Sequence, residues 1–423
     1  MGISGLSKAS SLSAWLTWQE QCHPKEIDLG LERVANVFIA LDCYQQKRPF
    51  TITVAGTNGK GSSVALLESI LLSAGYSVGS YTTPHLLNYN ERIKVNGLSV
   101  SDFLIASSFA RIDEVRAETS LSYFEFGTLA ALDIFDQQSV DVQILEVGLG
   151  GRLDAVNIID ADAVLITTIG IDHTAWLGTD ISQIALEKAG VFRADQQAVC
   201  SDATVPESLL DYAKELDVNL LCAGKDFNSA LAKGKWKLEG NCKLSGEYSL
   251  PLARGEHQVR NAAGVISLLG LLSDTLKITL TDIETALTTV QVSGRHQVID
   301  GKPPIILDVA HNAQSAQAFA DFINAQQYTG SIHAVFSILA DKELEQVLLP
   351  FLTKVNSWAV APIDASRAED ISVIKKALAG CQQVKEYSSV DEAFLETKNA
   401  AHDNDLIICF GSFYLVEECL RTL

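Results

Sequence analysis

The sequence predicts an α/β protein: a large domain on a mostly parallel sheet, followed by a smaller, Rossmann-like C-terminal α/β domain. Three observations predict it. Apolar runs of four to six residues alternate with helical patterns along the chain, as strands of a parallel sheet do. One run, Phe50–Ala55, leads through a glycine-rich turn into a helix pattern. Near Gly294–Pro304, GRHQVIDGKPP gathers glycine, charge and a double proline, which marks a boundary. About 120 residues of further alternation follow, enough for a second domain. The expected division is 1–296 and 297–423, with a cleft between the two.

In chain order, the clearest strand patterns are Phe50–Ala55, Val142–Val147, Ala163–Thr168, Ile305–Val309, Ile332–Phe336, Trp358–Ala361 and Leu406–Phe410. Helix patterns follow at Lys60–Ala74, Ile181–Ala189, Ser315–Ala325, Glu343–Leu349 and Phe413–Leu420. The stretch 227–252 differs. Its KWKLEG and KLSGEYSL alternate polar and apolar residues around glycine turns, so a β-hairpin insert is expected there.

Composition bounds the function. The 423 residues carry 32 Lys and Arg against 52 Asp and Glu, a net charge of −20. A general nucleic-acid binder needs the opposite surplus. With 47% hydrophobic and 20% charged residues, the chain has the apolar content that disordered chains lack. Its eight cysteines form no C-x-x-C pair, which favours reduced thiols over a disulfide framework or zinc knuckle. The first residues have no long apolar core, and Leu6 breaks the acylation pattern that Gly2 would begin. Apolar stretches such as Val265–Leu272 stop well short of the ~20 residues of a membrane span. A soluble cytoplasmic protein is expected, with no nucleic-acid or membrane partner.

Residues 50–62 read FTITVAGTNGKGS. A strand, a glycine turn, a lysine and a helix make a phosphate loop. Glycines let backbone N–H groups face inward, the helix N-terminus adds positive potential, and Lys60 reaches the outer phosphates. Gly56, Thr57, Asn58, Gly59, Lys60, Gly61 and Ser62 are the expected nucleotide contacts. The run departs from the usual G-x-x-x-x-G-K-[ST], with Val54 at the first glycine and Gly61 between Lys60 and Ser62.

This GTNGKGS form is similar to that of the Mur ligase superfamily. Further runs extend the likeness: IDLGLERV at 27–34, YTTPHL at 81–86, YFEFGT at 123–128, EVGLGGRLDAVN at 146–157, DHTAWLG at 172–178, EKAGVFR at 187–193, SGRHQV at 293–298, DVAHN at 308–312 and FGSFY at 410–414. Together they resemble the folylpolyglutamate synthases, especially the bacterial bifunctional dihydrofolate/folylpolyglutamate synthases. The implied fold is a Mur-ligase-like central domain with a C-terminal glutamate-ligase domain.

The resemblance implies ATP and two Mg²⁺ ions, with metal ligands at Thr83, Glu146 and His173 and a carbamylated Lys188. Glu146 closes a buried strand at its C-terminal edge, where α/β sheets place ligands. An isolated strand-end Glu would read as a solvated rim residue, and an isolated helical Lys as an exposed charge. Nitrogen is not the donor Mg²⁺ favours, so His173 rests on the likeness alone. The family usually has Ser at the position of Thr83, which keeps the hydroxyl. Asp172 is left open between orienting His173 and capping a helix.

Asn261, Arg295 and Asp308 match the family's ATP contacts, His311 a phosphate- or product-side histidine, and Lys342 a lysine near the cleft. The family reads HNP where this chain has Ala313, which removes a favoured first-turn proline and implies a slightly looser loop. On the acceptor side, Ile27, Asp28, Leu29, Gly30, Ser122, Tyr123, Phe124, Glu125, Leu153, Asp154 and Ala155 match segments around the pterin. Phe124 offers a flat apolar face, Asp154 an acceptor for an aminopyrimidine edge, and Arg152 a partner for a carboxylate.

The implied reaction is ATP-dependent amide ligation. The carboxylate of dihydropteroate, or of a tetrahydrofolate glutamyl tail, becomes an acyl phosphate, and L-glutamate's amine displaces phosphate. A monomer is the family expectation. The alternatives are a folylpolyglutamate synthase alone, a cell-wall amino-acid ligase, or a nucleotide-binding regulator without the chemistry.

Overall fold

A computed structural model describes residues 4–25, 27–326 and 328–423; Gly2 lies outside them. The chain divides into two compact units. The first holds the described residues up to Ile169 with 180–250 and 259–290; the second holds 170–179, 251–258 and 291–423.

The first unit carries an eight-stranded sheet. Its spatial order is Leu98–Ser99, Ile93–Val95, Val78–Tyr81, Val142–Glu146, Phe50–Ala55, Ala163–Ile166, Gln197–Cys200 and Asn219–Cys222. The last six run parallel, and the first two form an antiparallel edge. Strand Phe50–Ala55 is buried from Thr51 onward, its two threonines included, as a central strand covered on both faces is. Helix Lys60–Ser73 follows it and buries Val64, Leu66, Leu67, Ile70 and Leu71, so it is apolar on more than one side.

The chain leaves the central strand and returns on either side of it, at 142–146 and at 163–166. Val54 pairs with Glu146 and Ala55 with Ile166. Three strands therefore end level, and the loops beginning at Gly56, Val147 and Thr167 open at one sheet edge. Such a switch point is where open α/β sheets bind ligands.

The insert is a three-stranded antiparallel sheet, Phe227–Ala232, Lys235–Gly240 and Gly246–Ser249, one strand more than the hairpin expected. Trp236 and Leu238 alternate inward between exposed Lys235, Lys237 and Glu239. Trp236 stacks on Tyr248 with ring centroids 5.3 Å apart.

The second unit has a six-stranded sheet in the order Gln297–Ile299, Ile305–Asp308, Leu406–Phe410, Ile332–Phe336, Ser357–Val360 and Val384–Glu386. Only its first pair is antiparallel. Phe319, Phe336, Phe351, Trp358 and Phe410 fill its core. Among the described residues no helix is long and apolar enough to cross a membrane.

Candidate functional site

The loop after the central strand is fixed by two glycines. Gly56 has φ +143°, and a Cβ there would lie 1.9 Å from Thr167 Oγ1. Gly59 has φ +89°, and its Cβ would lie 2.4 Å from Asn261 Oδ1. Neither position tolerates a side chain. The Thr57 and Asn58 amides donate to the Thr168 carbonyl (2.7 Å) and to Thr168 Oγ1 (3.0 Å), which ties the loop to the end of the neighbouring strand. Lys60 opens helix Lys60–Ser73 and turns back, its Nζ donating to the carbonyls of Gly56 (3.1 Å) and Thr57 (3.2 Å). A cation is thus held over a loop at a helix N-terminus, the setting in which phosphate binds.

Gly61 and Ser62 begin the helix beside Glu146. A Cβ on Gly61 would sit 3.7 Å from Glu146 Oε2, so the carboxylate lies against the phosphate loop. Glu146 is buried, and its Oε2 accepts the Thr83 amide at 3.1 Å. Arg92 donates to Thr83 Oγ1 at 3.4 Å and to His85 Nδ1 at 2.8 Å. Thr83 thus meets Glu146 through its backbone amide, while its hydroxyl oxygen accepts from Arg92. Hard oxygen donors beside a phosphate loop suit Mg²⁺, which is bound by one or two carboxylates plus substrate phosphates. Among the described residues no three His, Cys, Asp or Glu side chains group closely enough to hold a metal alone. His173 belongs to the second unit, where it precedes the short helix Thr174–Leu177 with φ +51°.

Lys188 lies in the last turn of helix Ile181–Ala189 and is 3% exposed, which contrasts with the exposed charge an isolated helical Lys suggests. The loop from Gly148 is fastened to this helix. Arg152 donates its amide to the Glu187 carbonyl (2.8 Å) and its Nε and Nη2 to Glu187 Oε1 (3.0 and 2.7 Å). Asn157 Nδ2 bridges the carbonyls of Arg152 and Gly190. The basic residue matched to a substrate carboxylate is therefore paired with Glu187.

Asp154 caps the same loop. Its Oδ2 accepts the amides of Gly148 (2.9 Å) and Leu149 (2.8 Å), and its Oδ1 that of Val156 (3.1 Å). Burial pushes its carboxyl up to about 7, against the lowering pull of these N–H bonds and the Lys60 charge. The Phe124 ring lies against the loop, for a Cβ on Gly148 would be 2.8 Å from its Cζ. Leu153 is half-buried and Ala155 buried.

Ser122 and Glu125 start helix Tyr123–Gln137 as a reciprocal cap. The Ser122 amide donates to Glu125 Oε2 at 2.7 Å, and the Glu125 amide to Ser122 Oγ at 3.3 Å, a spacing readable from sequence. Ile27, Asp28, Leu29 and Gly30 are half-buried and lie outside helix and strand. Sequence reasoning missed what joins the two segments. Arg33 reaches Asp28 Oδ2 (2.9 Å) with Nη1 and Glu125 Oε1 (3.0 Å) with Nη2. It also missed Arg92, whose guanidinium stands 5.4 Å from the Tyr123 ring centroid.

In the second unit Asp308 ends its strand buried and accepts the amides of His296 and Ala310, both at 2.8 Å. The Arg295 guanidinium lies 5.4 Å from the Phe413 ring centroid. Asp172 gathers the remaining polar groups. It accepts from the His173 amide (2.7 Å), Asn312 Nδ2 (3.1 Å) and Lys342 Nζ (2.5 Å), with His311 Nε2 at 3.4 Å. These residues line a small cavity with Thr174 and Glu343. Burial raises the Asp172 carboxyl, but the His311 hydrogen bond and the His311 and Lys342 charges outweigh it and hold the group well below the usual range. Ala313 begins helix Ala313–Ala325, capped by Asn312 and Ser315.

Two domain families match the chain: the Mur ligase middle domain at 54–269 and the Mur ligase glutamate ligase domain at 294–413. The dihydrofolate synthase/folylpolyglutamate synthase of Escherichia coli K12 is 37% identical over 415 residues, 98% of this chain and 96% of that protein. Its counterpart in Buchnera aphidicola subsp. Schizaphis graminum is 42% identical over 415 residues, 97% of this chain and 96% of that protein. Among solved structures, E. coli FolC in complex with DHPP and ADP superposes with a TM-score of 0.91 at 37% identity, covering 98% of each chain. A bifunctional folylpolyglutamate synthase/dihydrofolate synthase with Mn, AMPPNP and L-glutamate bound gives 0.89 at 37% identity, again over 98% of each.

Proposed function

We propose, for a chain that belongs to the Mur ligase family and within it to the dihydrofolate synthase/folylpolyglutamate synthases, an ATP-dependent ligase that joins L-glutamate to folate-type carboxylates. One acceptor is dihydropteroate, giving dihydrofolate; the other is the glutamyl tail of tetrahydrofolates. The observation that carries this reading is Lys60 folded over the loop 56–59, with Glu146 against Gly61 and the Asp154 loop opening from the same sheet edge.

The acceptor carboxylate attacks the γ-phosphorus of ATP, giving an acyl phosphate and ADP. The neutral amine of L-glutamate then adds to the acyl carbon, and phosphate leaves. The loop amides and Lys60 hold the phosphates and offset the charge that builds on them. The family likeness assigns Mg²⁺ ligands to Thr83, Glu146 and His173; when bound, the ion would shield phosphate charge during transfer. By the same likeness Asn261, Arg295 and Asp308 are assigned to the nucleotide and His311 to the phosphate or product side. The segments 27–30, 122–125 and 153–155 are assigned to the pterin. Lys188 is the site of a carbamate, formed when its neutral amine adds to CO₂ and loses a proton, whose oxygens suit a second Mg²⁺. Its burial is in keeping with that reading, since a Lys this buried needs its charge paired or removed. The chain is read as a cytoplasmic monomer acting on small molecules, in keeping with eight free cysteines.

The test is incorporation of labelled glutamate with ATP, using dihydropteroate and tetrahydrofolate in separate reactions. Product with both is expected. Product with tetrahydrofolate alone would reduce the activity to folylpolyglutamate synthesis. ADP release without amide product would leave a nucleotide-binding regulator.

A further inference from the structure

The acceptor segments 27–30 and 122–125 are far apart in sequence, and one side chain fastens them. Arg33 Nη1 lies 2.9 Å from Asp28 Oδ2, and Nη2 donates to the Asp28 carbonyl (2.9 Å) and to Glu125 Oε1 (3.0 Å). The carbonyl bond sets the backbone of the first segment just before Leu29 and Gly30. The Glu125 bond acts on the second. Glu125 is buried, and its other oxygen holds the Ser122 amide, so its position fixes the helix start that presents Tyr123 and Phe124. Asp28 Oδ2 also meets His23 Nε2 (3.1 Å), and its Oδ1 meets Lys25 Nζ (3.0 Å).

We propose that Arg33 is a positioning residue for the acceptor site: its forked guanidinium locks the 27–30 segment to the 122–125 helix start and so sets the gap into which the pterin fits. This rests on the assignment of those segments to the pterin. A guanidinium suits the task because its planar donors meet two carboxylates and a carbonyl at once, which an ammonium on a flexible stem does not. The acids so held are spent on the protein's own frame, which leaves backbone groups and the Phe124 face to meet the ligand.

Arg33→Met, Arg33→Lys and Glu125→Gln, made in the full chain, test this by steady-state kinetics with dihydropteroate, tetrahydrofolate and ATP varied in turn. Gln at 125 can still serve the cap but loses the ion pair. Arg33→Met and Glu125→Gln should raise the dihydropteroate KM by about tenfold to a hundredfold, the scale of a misplaced binding surface. The ATP KM should stay unchanged, and Arg33→Lys should recover part of the loss. If Arg33→Met does not fold, Arg33→Lys and Glu125→Gln carry the same test. A dihydropteroate KM unchanged in the folded variants, or an equal rise in the ATP KM, would overturn the proposal. No product from the unsubstituted chain would instead remove the proposed function itself.

Discussion

The backbone amide of Thr83 donates to Oε2 of Glu146 at 3.1 Å, joining a loop residue to a strand end 63 positions away. The bond fixes one oxygen of a buried carboxylate beside the phosphate loop and leaves its charge in place. Glu146→Gln keeps an oxygen for the Thr83 amide but removes the charge a divalent ion needs. The fold should survive, with a melting temperature close to the unsubstituted protein. The Mg²⁺ concentration for half-maximal activity should rise by at least ~10–100-fold, the scale on which even outer-shell changes weaken metal sites. A Mg²⁺ titration of glutamate incorporation reads this directly.

Lys60 Nζ holds its charge over the loop by donating to two carbonyls of that same loop, those of Gly56 and Thr57, so these bonds tie no distant segments together. Lys60→Ala should therefore cost little stability. It should lower turnover by about 10²–10³-fold, as loss of one preorganised donor does. Turnover within twofold of the unsubstituted chain would contradict the phosphate-loop assignment.

Gly59 makes the opposite case, in which geometry decides. Alanine there meets a φ of +89° and an oxygen of Asn261 at 2.4 Å. The backbone strain alone is worth about 1–3 kcal/mol, and the loop must shift to clear Asn261. Gly59→Ala should lower the melting temperature and weaken ADP binding in a calorimetric titration. Adding Asn261→Ala removes the clash but not the strain. It should recover part of the stability and none of the affinity.

The strands carrying these residues could be read from sequence because parallel-sheet interiors are continuous apolar runs. Phe50–Ala55, Ile332–Phe336 and Leu406–Phe410 are bounded as their patterns suggest. The edge strands Ile93–Val95 and Leu98–Ser99 escaped because they are three and two residues long, and Leu98 and Ser99 are exposed. Helix Tyr123–Gln137 carries a readable cap in the Ser122–Glu125 spacing, yet it is not among the expected helices, because its aromatics read as a ligand surface. Within the site, the phosphate loop was readable because its glycines are local requirements. The partners of Asp154, Arg152 and Asp172 were not. Asp154 caps its own loop, Arg152 meets Glu187 across 35 positions, and Asp172 meets Lys342 across 170. The last two pairings depend on tertiary packing, which leaves no spacing in the chain, whereas the Asp154 cap is local but follows no fixed sequence pattern.

Asp172 also gives the second unit a pH dependence of definite sign. Its carboxyl is depressed: burial opposes ionisation, but His311 and Lys342 overcome it. A depressed carboxyl contributes stability above its unfolded value, ~3.9, and loses it as pH falls toward the folded one. The unfolded chain binds the proton more readily in that window, so acid favours unfolding. Unfolding monitored below about pH 4 should show a steeper loss in the native chain than in Asp172→Asn, which has no proton to take up. At pH 7 the order of effects changes. Both side chains of the Asp172–Lys342 pair are less than a tenth exposed, so Asp172→Asn strands a buried ammonium, with Asp341 at 3.8 Å as a weaker partner. Breaking such a pair costs about 3–5 kcal/mol, and the Asp341 contact should bring the cost toward the lower figure. Asp172→Asn with Lys342→Met removes the stranded charge and should regain much of the loss. Equal acid slopes in the native chain and Asp172→Asn would show that Asp172 is not the group that titrates.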